Sequence, residues 1–146
     1  MPTLQEKTAD RSAHVAIIGL GYVGLPLATA FAKAGFRTTG VDVSESKVDI
    51  VNAGRSYIPD VRDEDVASHV QSGLFTATAD YDALTGVDAV FICVPTPYDA
   101  QRAPDLSYIE AASKSIRSRL QPGQLIVLQS TTYPGTTEEI VQPILE

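Results

Sequence analysis

Two rhythms of apolar and polar residues alternate along this chain, and most changes of rhythm fall at a glycine. Residues 14–18, His-Val-Ala-Ile-Ile, are largely β-branched and apolar and predict a buried strand. Over 22–34, Val23, Leu27, Ala30, Phe31 and Ala34 recur at helical spacing, with Gly35 placed as a C-cap. Residues 36–43 predict a second strand ending at Asp42, after which Ser44 caps a helix to about Ala53, stopped by Gly54. A loop over 55–62 contains Pro59, a short helix over 63–72 ends at Gly73, and the alternating 74–79 predicts a third strand.

In the second half, 87–94 is continuously apolar after Asp88, as expected of a central parallel strand buried on both faces. A three-proline loop follows over 95–105. Ser107 and Glu110 read as a capping box for a helix to about Leu120, with Ile109, Ile116 and Leu120 inward. Pro122-Gly123 turns the chain into a fifth strand over 124–130, and Thr136 with Glu139 reads as a second capping box. Strands alternating with helices give an α/β fold, a doubly wound parallel sheet covered on both faces. Residues 14–146 make one domain, and 1–13 are expected to be a flexible lead-in. The sequence stops inside an amphipathic helix and is therefore expected to be a piece of a longer protein.

Composition narrows the classes of function. With 146 residues, 44% hydrophobic and 20% charged, the chain has the profile of a globular domain. A net charge of −7 and no basic run argue against nucleic acid as a partner. No apolar stretch reaches the ~20 residues of a membrane span, and the polar N-terminus does not read as a signal peptide. The single Cys93 precludes an internal disulfide and fits a reducing cytoplasm. It lies in the apolar Val-Phe-Ile-Cys-Val strand and reads as a structural thiol. His14 and His69 form no ligand pair, and no Cys or carboxylate stands at metal-ligand spacing, so no metal site is expected. The acidic Asp60, Asp63, Glu64 and Asp65 read as a solvated helix start.

Gly19, Gly21 and Gly24 form a complete Gly-x-Gly-x-x-Gly between the first strand and the first helix. Gly19 permits the tight turn, Gly21 lets a pyrophosphate approach the backbone, and Gly24 lets helix and strand pack closely. The N–H groups of the helix start and the helix dipole then receive the anion, and Pro26 near that start removes a donor that needs no partner. Asp42, eighteen residues beyond Gly24, stands where a carboxylate accepts from the adenosine ribose hydroxyls. It would repel a 2′-phosphate, which favours NAD over NADP. FAD and S-adenosylmethionine proteins use related turns, whereas a P-loop is excluded because no Gly-Lys-Ser/Thr follows.

The loops after the fourth and fifth strands are rich in hydroxyls and prolines and stand at the cleft end of such a sheet. With Gly-Leu-Gly-Tyr-Val-Gly-Leu-Pro-Leu-Ala, Val-Asp-Val-Ser-Glu-Ser-Lys-Val, Val-Pro-Thr-Pro and Ser-Thr-Thr-Tyr-Pro-Gly-Thr-Thr-Glu-Glu, the chain from His14 to Glu146 closely resembles the NAD-binding Rossmann domain of the UDP-glucose/GDP-mannose dehydrogenase family. Ala-Gly-Arg-Ser-Tyr-Ile-Pro-Asp-Val and Ser-Thr-Thr-Tyr-Pro-Gly-Thr resemble the branch acting on UDP-N-acetylhexosamines.

The resemblance implies that Gly19, Gly21, Tyr22, Val23 and Gly24 hold the pyrophosphate, and that Asp42 and Lys47 bind the adenosine ribose. It implies that Pro95 and Thr96 line the cofactor cleft and that Thr131 lies near the nicotinamide and the reaction centre. Read alone, Lys47 is an exposed helix lysine. The family oxidises the C6 alcohol of a nucleotide sugar to a carboxylate with two NAD, through a catalytic cysteine. That nucleophile and the middle and C-terminal domains would lie beyond residue 146. UDP-N-acetylglucosamine or UDP-N-acetylmannosamine is then the expected sugar substrate, with a homodimer or higher oligomer as the full-length assembly and the isolated piece inactive. The alternatives are an NAD-sensing module without catalysis and another NAD-dependent dehydrogenase, such as a 3-hydroxyacid type.

Overall fold

The computed structural model describes residues 2–97, 105–129 and 135–146. Its elements run α1 (Leu4–Ala9), β1 (His14–Ile18), α2 (Gly24–Lys33), β2 (Arg37–Val41), α3 (Glu45–Asn52), α4 (Asp63–Gln71) and β3 (Phe75–Thr78). A 3-10 turn (Tyr81–Leu84) then leads to β4 (Ala89–Ile92), α5 (Ser107–Arg117) and β5 (Leu125–Leu128). A wide π turn (Thr137–Val141) and α6 (Gln142–Leu145) close the chain.

All five strands pair in parallel in the order β3-β2-β1-β4-β5. The strand order reverses between β1 and β4, so the crevice for a ligand opens beyond their carboxyl ends. Register brings those ends level: Ile18 stands opposite Val41 of β2 and Ile92 of β4. Gly19, Asp42 and Cys93, each one residue further on, are therefore neighbours, and the Gly19 N–H donates to the Val41 carbonyl at 2.7 Å.

Successive residues of β1 point to opposite faces and both sets are buried, which is why the strand reads as an unbroken apolar run. Val15 and Ile17 pack with Leu25, Ala28, Val51 and Val66 under α2, α3 and α4. Ala16 and Ile18 pack with Ile109, Ile116 and Val141 under α5 and the π turn.

Some terminal and capping details depart from expectation. The lead-in holds a helix, α1, whose Thr3 hydroxyl accepts from the Glu6 N–H while the Glu6 carboxylate accepts from the Thr3 N–H. The Lys7 ammonium reaches Asp88 Oδ1 at 2.7 Å, and Asp88 Oδ2 accepts the His14 N–H at 2.8 Å. Burial raises the Asp88 carboxyl, but the His14 N–H and the Lys7 ammonium outweigh it and hold it below the ordinary carboxylate range.

A lowered folded-state pKa contributes stability above the unfolded value, near 3.9, that is lost as pH falls through the folded value. Asp88→Asn is expected to destabilise by about 1 kcal/mol at pH 7, with a smaller difference at about pH 3, below the ordinary carboxylate value. Urea titrations of both proteins at the two pH values check this.

The two capping boxes expected in the second half do not form. At α5, Leu106 takes the cap position and Asp105 Oδ1 accepts the Ser107 N–H at 2.9 Å. Thr136 is already helical (φ −57°, ψ −41°), so its side chain is not in cap geometry. Because α5 ends at Arg117, Leu120 is exposed rather than inward.

Candidate functional site

The site is built on the turn from β1 into α2. Gly19 sits at φ +93°, and a Cβ there would lie 2.5 Å from the Cys93 carbonyl oxygen. At Gly24 a Cβ would stand 1.6 Å from the Gly19 carbonyl oxygen, so the turn closes on its own backbone only because both positions lack side chains. The expected closeness of helix to strand at Gly24 is thus first a closeness of the turn to itself. Gly21 differs, because a Cβ added there meets nothing within 4 Å. The protein's own packing does not require glycine at Gly21.

Helical bonds begin with Leu25 N–H to Gly21 and Leu27 N–H to Val23. The N–H groups ahead of Leu25 therefore precede the ladder, at the positive end of the α2 dipole.

Asp42 follows β2 and is buried. Its Oδ2 accepts the Leu20 N–H at 2.8 Å and its Oδ1 accepts the Ser44 N–H at 2.8 Å. Each oxygen retains capacity for a further donor. Ser44 caps α3 as expected, accepting from the Lys47 N–H. The Lys47 ammonium lies 5.7 Å from the Tyr57 ring centre, over its face. Tyr57 in turn donates its phenolic hydrogen to the Leu20 carbonyl. Burial, then the nearby Asp42 charge, push this phenol well above its ordinary pKa, so it stays a donor.

A cavity of about 380 Å³ opens beside these groups. Of the residues singled out in the sequence, it gathers Gly19, Gly21 and Tyr22 from the turn, Asp42 and Lys47 from the β2–α3 junction, and Pro95 from beyond β4. Gly24 is buried beneath the turn, Val23 is exposed, and Thr96 is half-buried outside the lining. Thr131 lies outside the described residues. The lining also includes Val43, Tyr81 and Tyr108, which the sequence did not single out. Val43 is 76% exposed and Tyr108 47%, so among the described residues these apolar walls stay largely uncovered. Val43 adjoins the predicted Asp42, but nothing in the spacing of Tyr81 or Tyr108 points to the cleft.

Cys93 also lines the cavity, and burial pushes its thiol up to about 11, leaving it protonated and unsuited to nucleophilic attack. His14 Nε2 meets Thr39 Oγ1 at 2.7 Å within the sheet. Burial and then the Arg37 charge hold its pKa low against the pull of Asp88. Among the described residues no three His, Cys, Asp or Glu side chains are grouped to hold a metal, and no helix is long and apolar enough to cross a membrane.

Chemically, one end of the cavity is a helix start with open space at Gly21, suited to an anion. The same cavity offers a carboxylate for hydroxyl groups and apolar walls for a flat ring. That donor set fits the adenosine and pyrophosphate parts of a dinucleotide.

Comparisons with known proteins point to the same class of ligand. A family model described as "UDP-glucose/GDP-mannose dehydrogenase family, NAD binding domain" matches residues 13–146. An NDP-N-acetyl-D-galactosaminuronic acid dehydrogenase of Ralstonia nicotianae is 42% identical over 128 residues, covering 86% of this chain and 29% of the relative. A UDP-N-acetyl-D-mannosamine dehydrogenase of Escherichia coli K12 is 39% identical over 136 residues, covering 92% and 31%. The crystal structure of a GDP-mannose dehydrogenase ternary complex from Pseudomonas aeruginosa superposes with a TM-score of 0.85 at 34% identity, covering 90% of this chain and 31% of that one. The chain spans less than a third of the length of the curated relatives described.

Proposed function

The chain belongs to the UDP-glucose/GDP-mannose dehydrogenase family, as its NAD-binding domain, and on that premise we propose that it carries the cofactor half of a nucleotide-sugar 6-dehydrogenase. The observation that carries the site assignment is the pairing of open space at Gly21 with the Asp42 carboxylate across one cavity. Gly19, Gly21, Tyr22, Val23 and Gly24 receive the pyrophosphate on the start of α2. Asp42 accepts from the adenosine ribose hydroxyls, and Lys47 stands beside them. Val43, Tyr81 and Tyr108 offer the adenine an apolar slot. Pro95 and Thr96 border the cleft toward the nicotinamide, and Thr131 is proposed to lie at the reaction centre.

When bound, NAD supplies the hydride acceptor for oxidation at C6 of a sugar nucleotide. The full-length protein is proposed to convert a UDP-N-acetylhexosamine to its uronate in the cytoplasm, as a homodimer or higher oligomer. The names of the two curated relatives favour that branch. Cys93 is not the nucleophile of this reaction, being protonated and buried in the β4 end.

Calorimetric titration of the chain with NAD and NADP, repeated on Gly21→Ala, tests the reading. The unmodified chain is expected to bind NAD at least about tenfold tighter than NADP, a difference of about 1.4 kcal/mol. Gly21→Ala is expected to lose about tenfold or more in NAD affinity with its unfolding midpoint preserved, since the added methyl meets only ligand space. Equal affinity for the two dinucleotides would remove the Asp42 assignment, and binding of neither would remove the whole reading.

A further inference from the structure

Gly21 brings a difficulty with it. A glycine that leaves room for phosphate also frees the peptide ahead of it to rotate, because no Cβ restrains its φ. The Leu20–Gly21 peptide could then turn over and withdraw the Gly21 N–H from the position facing the cavity.

The structure holds Leu20 at three points. Its N–H donates to Asp42 Oδ2 at 2.8 Å. Its side chain is fully buried over Gly40, where a Cβ would come within 2.7 Å of Leu20 Cδ2. Its carbonyl accepts the Tyr57 hydroxyl. Carbonyl and following N–H share one planar trans peptide and point in opposite directions. A carbonyl bound to Tyr57 therefore fixes the direction of the Gly21 N–H. Of the three restraints, only the Tyr57 bond acts on the Leu20–Gly21 peptide directly.

Tyr57 comes from the segment between α3 and α4 and does not line the cavity, so it touches no ligand there. Its ring also lies under the Lys47 ammonium, which ties that segment to the ribose end of the site. We propose that Tyr57 is a positioning residue for the dinucleotide: its hydroxyl locks the Leu20–Gly21 peptide and so presents the phosphate-binding N–H. This inference rests on the dinucleotide reading above and names a residue that the glycine fingerprint does not contain.

Tyr57→Phe removes the hydroxyl and keeps the ring, with its packing and its contact to Lys47. Calorimetry with NAD and with ADP, and amide chemical-shift titration with adenosine, separate the phosphate end from the ribose end. Tyr57→Phe is expected to weaken NAD and ADP about five- to tenfold, the loss of one hydrogen bond. Adenosine affinity should stay within about twofold of the parent, and the Gly21 amide resonance of the unliganded chain should move.

Parent-like NAD affinity in Tyr57→Phe overturns the inference while leaving the dinucleotide reading intact. So does an equal loss for adenosine and NAD, which would mark a general structural role. Absence of NAD binding by the unmodified chain overturns both together.

Discussion

Gly24→Ala is expected to cost the domain several kcal/mol and to abolish NAD binding with it. The new Cβ would stand 1.6 Å from the Gly19 carbonyl oxygen and 2.8 Å from its carbon. Both obstacles are backbone, so no side chain can swing aside. The oxygen would have to retreat by well over an ångström, and Gly19 is itself confined, with the Cys93 carbonyl 2.5 Å from its own Cβ direction. A loss of about 3–5 kcal/mol takes a large part of the 5–15 kcal/mol typical of a domain. Urea unfolding followed by circular dichroism should show a much lower midpoint, and a parent-like midpoint would contradict the geometry. Gly21→Ala, only three residues away in sequence, is expected to leave that midpoint in place.

Asp42→Ala carries the second large effect, and here binding and stability move for different reasons. Its two oxygens accept the Leu20 and Ser44 N–H groups inside a buried pocket. Removing them leaves two donors without these partners, at about 1–3 kcal/mol of stability for each that water cannot reach. NAD also loses a charged acceptor for its ribose hydroxyls, worth about 1.5–3 kcal/mol per bond and so roughly 10²-fold or more in affinity. NADP, which the carboxylate repels, should lose far less, so the preference between the two dinucleotides narrows. Titrating Asp42→Ala with both in parallel reads that ratio. An unchanged ratio would mean that Asp42 acts only as a brace for the turn.

The features legible in the sequence are those that local chemistry forces to a fixed spacing. Gly19 and Gly24 mark a turn that side chains would block, Gly21 between them leaves open space, and Asp42 follows the strand that register sets beside it. The parallel, doubly covered sheet was readable from the unbroken apolar runs of β1 and β4. Other features depended on contacts distant in sequence. α1 was missed because its polar composition hid the Thr3–Glu6 box and because its anchor, Asp88, lies 81 residues from Lys7. The boxes at Ser107 and Thr136 failed because the backbone just ahead of each helix does not adopt cap geometry. Tyr57, Tyr81 and Tyr108 come to the site from separate segments, where no periodicity distinguishes them from ordinary packing aromatics.

The state of Cys93 has a practical side. With its thiol raised to about 11 and only 7% of the residue exposed, almost none of it is thiolate near neutrality. The domain is therefore expected to react with alkylating reagents far more slowly than a protein with an exposed thiol. A single cysteine introduced at an exposed position would take a fluorophore or spin label selectively, and the cleft could be watched from outside without first engineering the native thiol away.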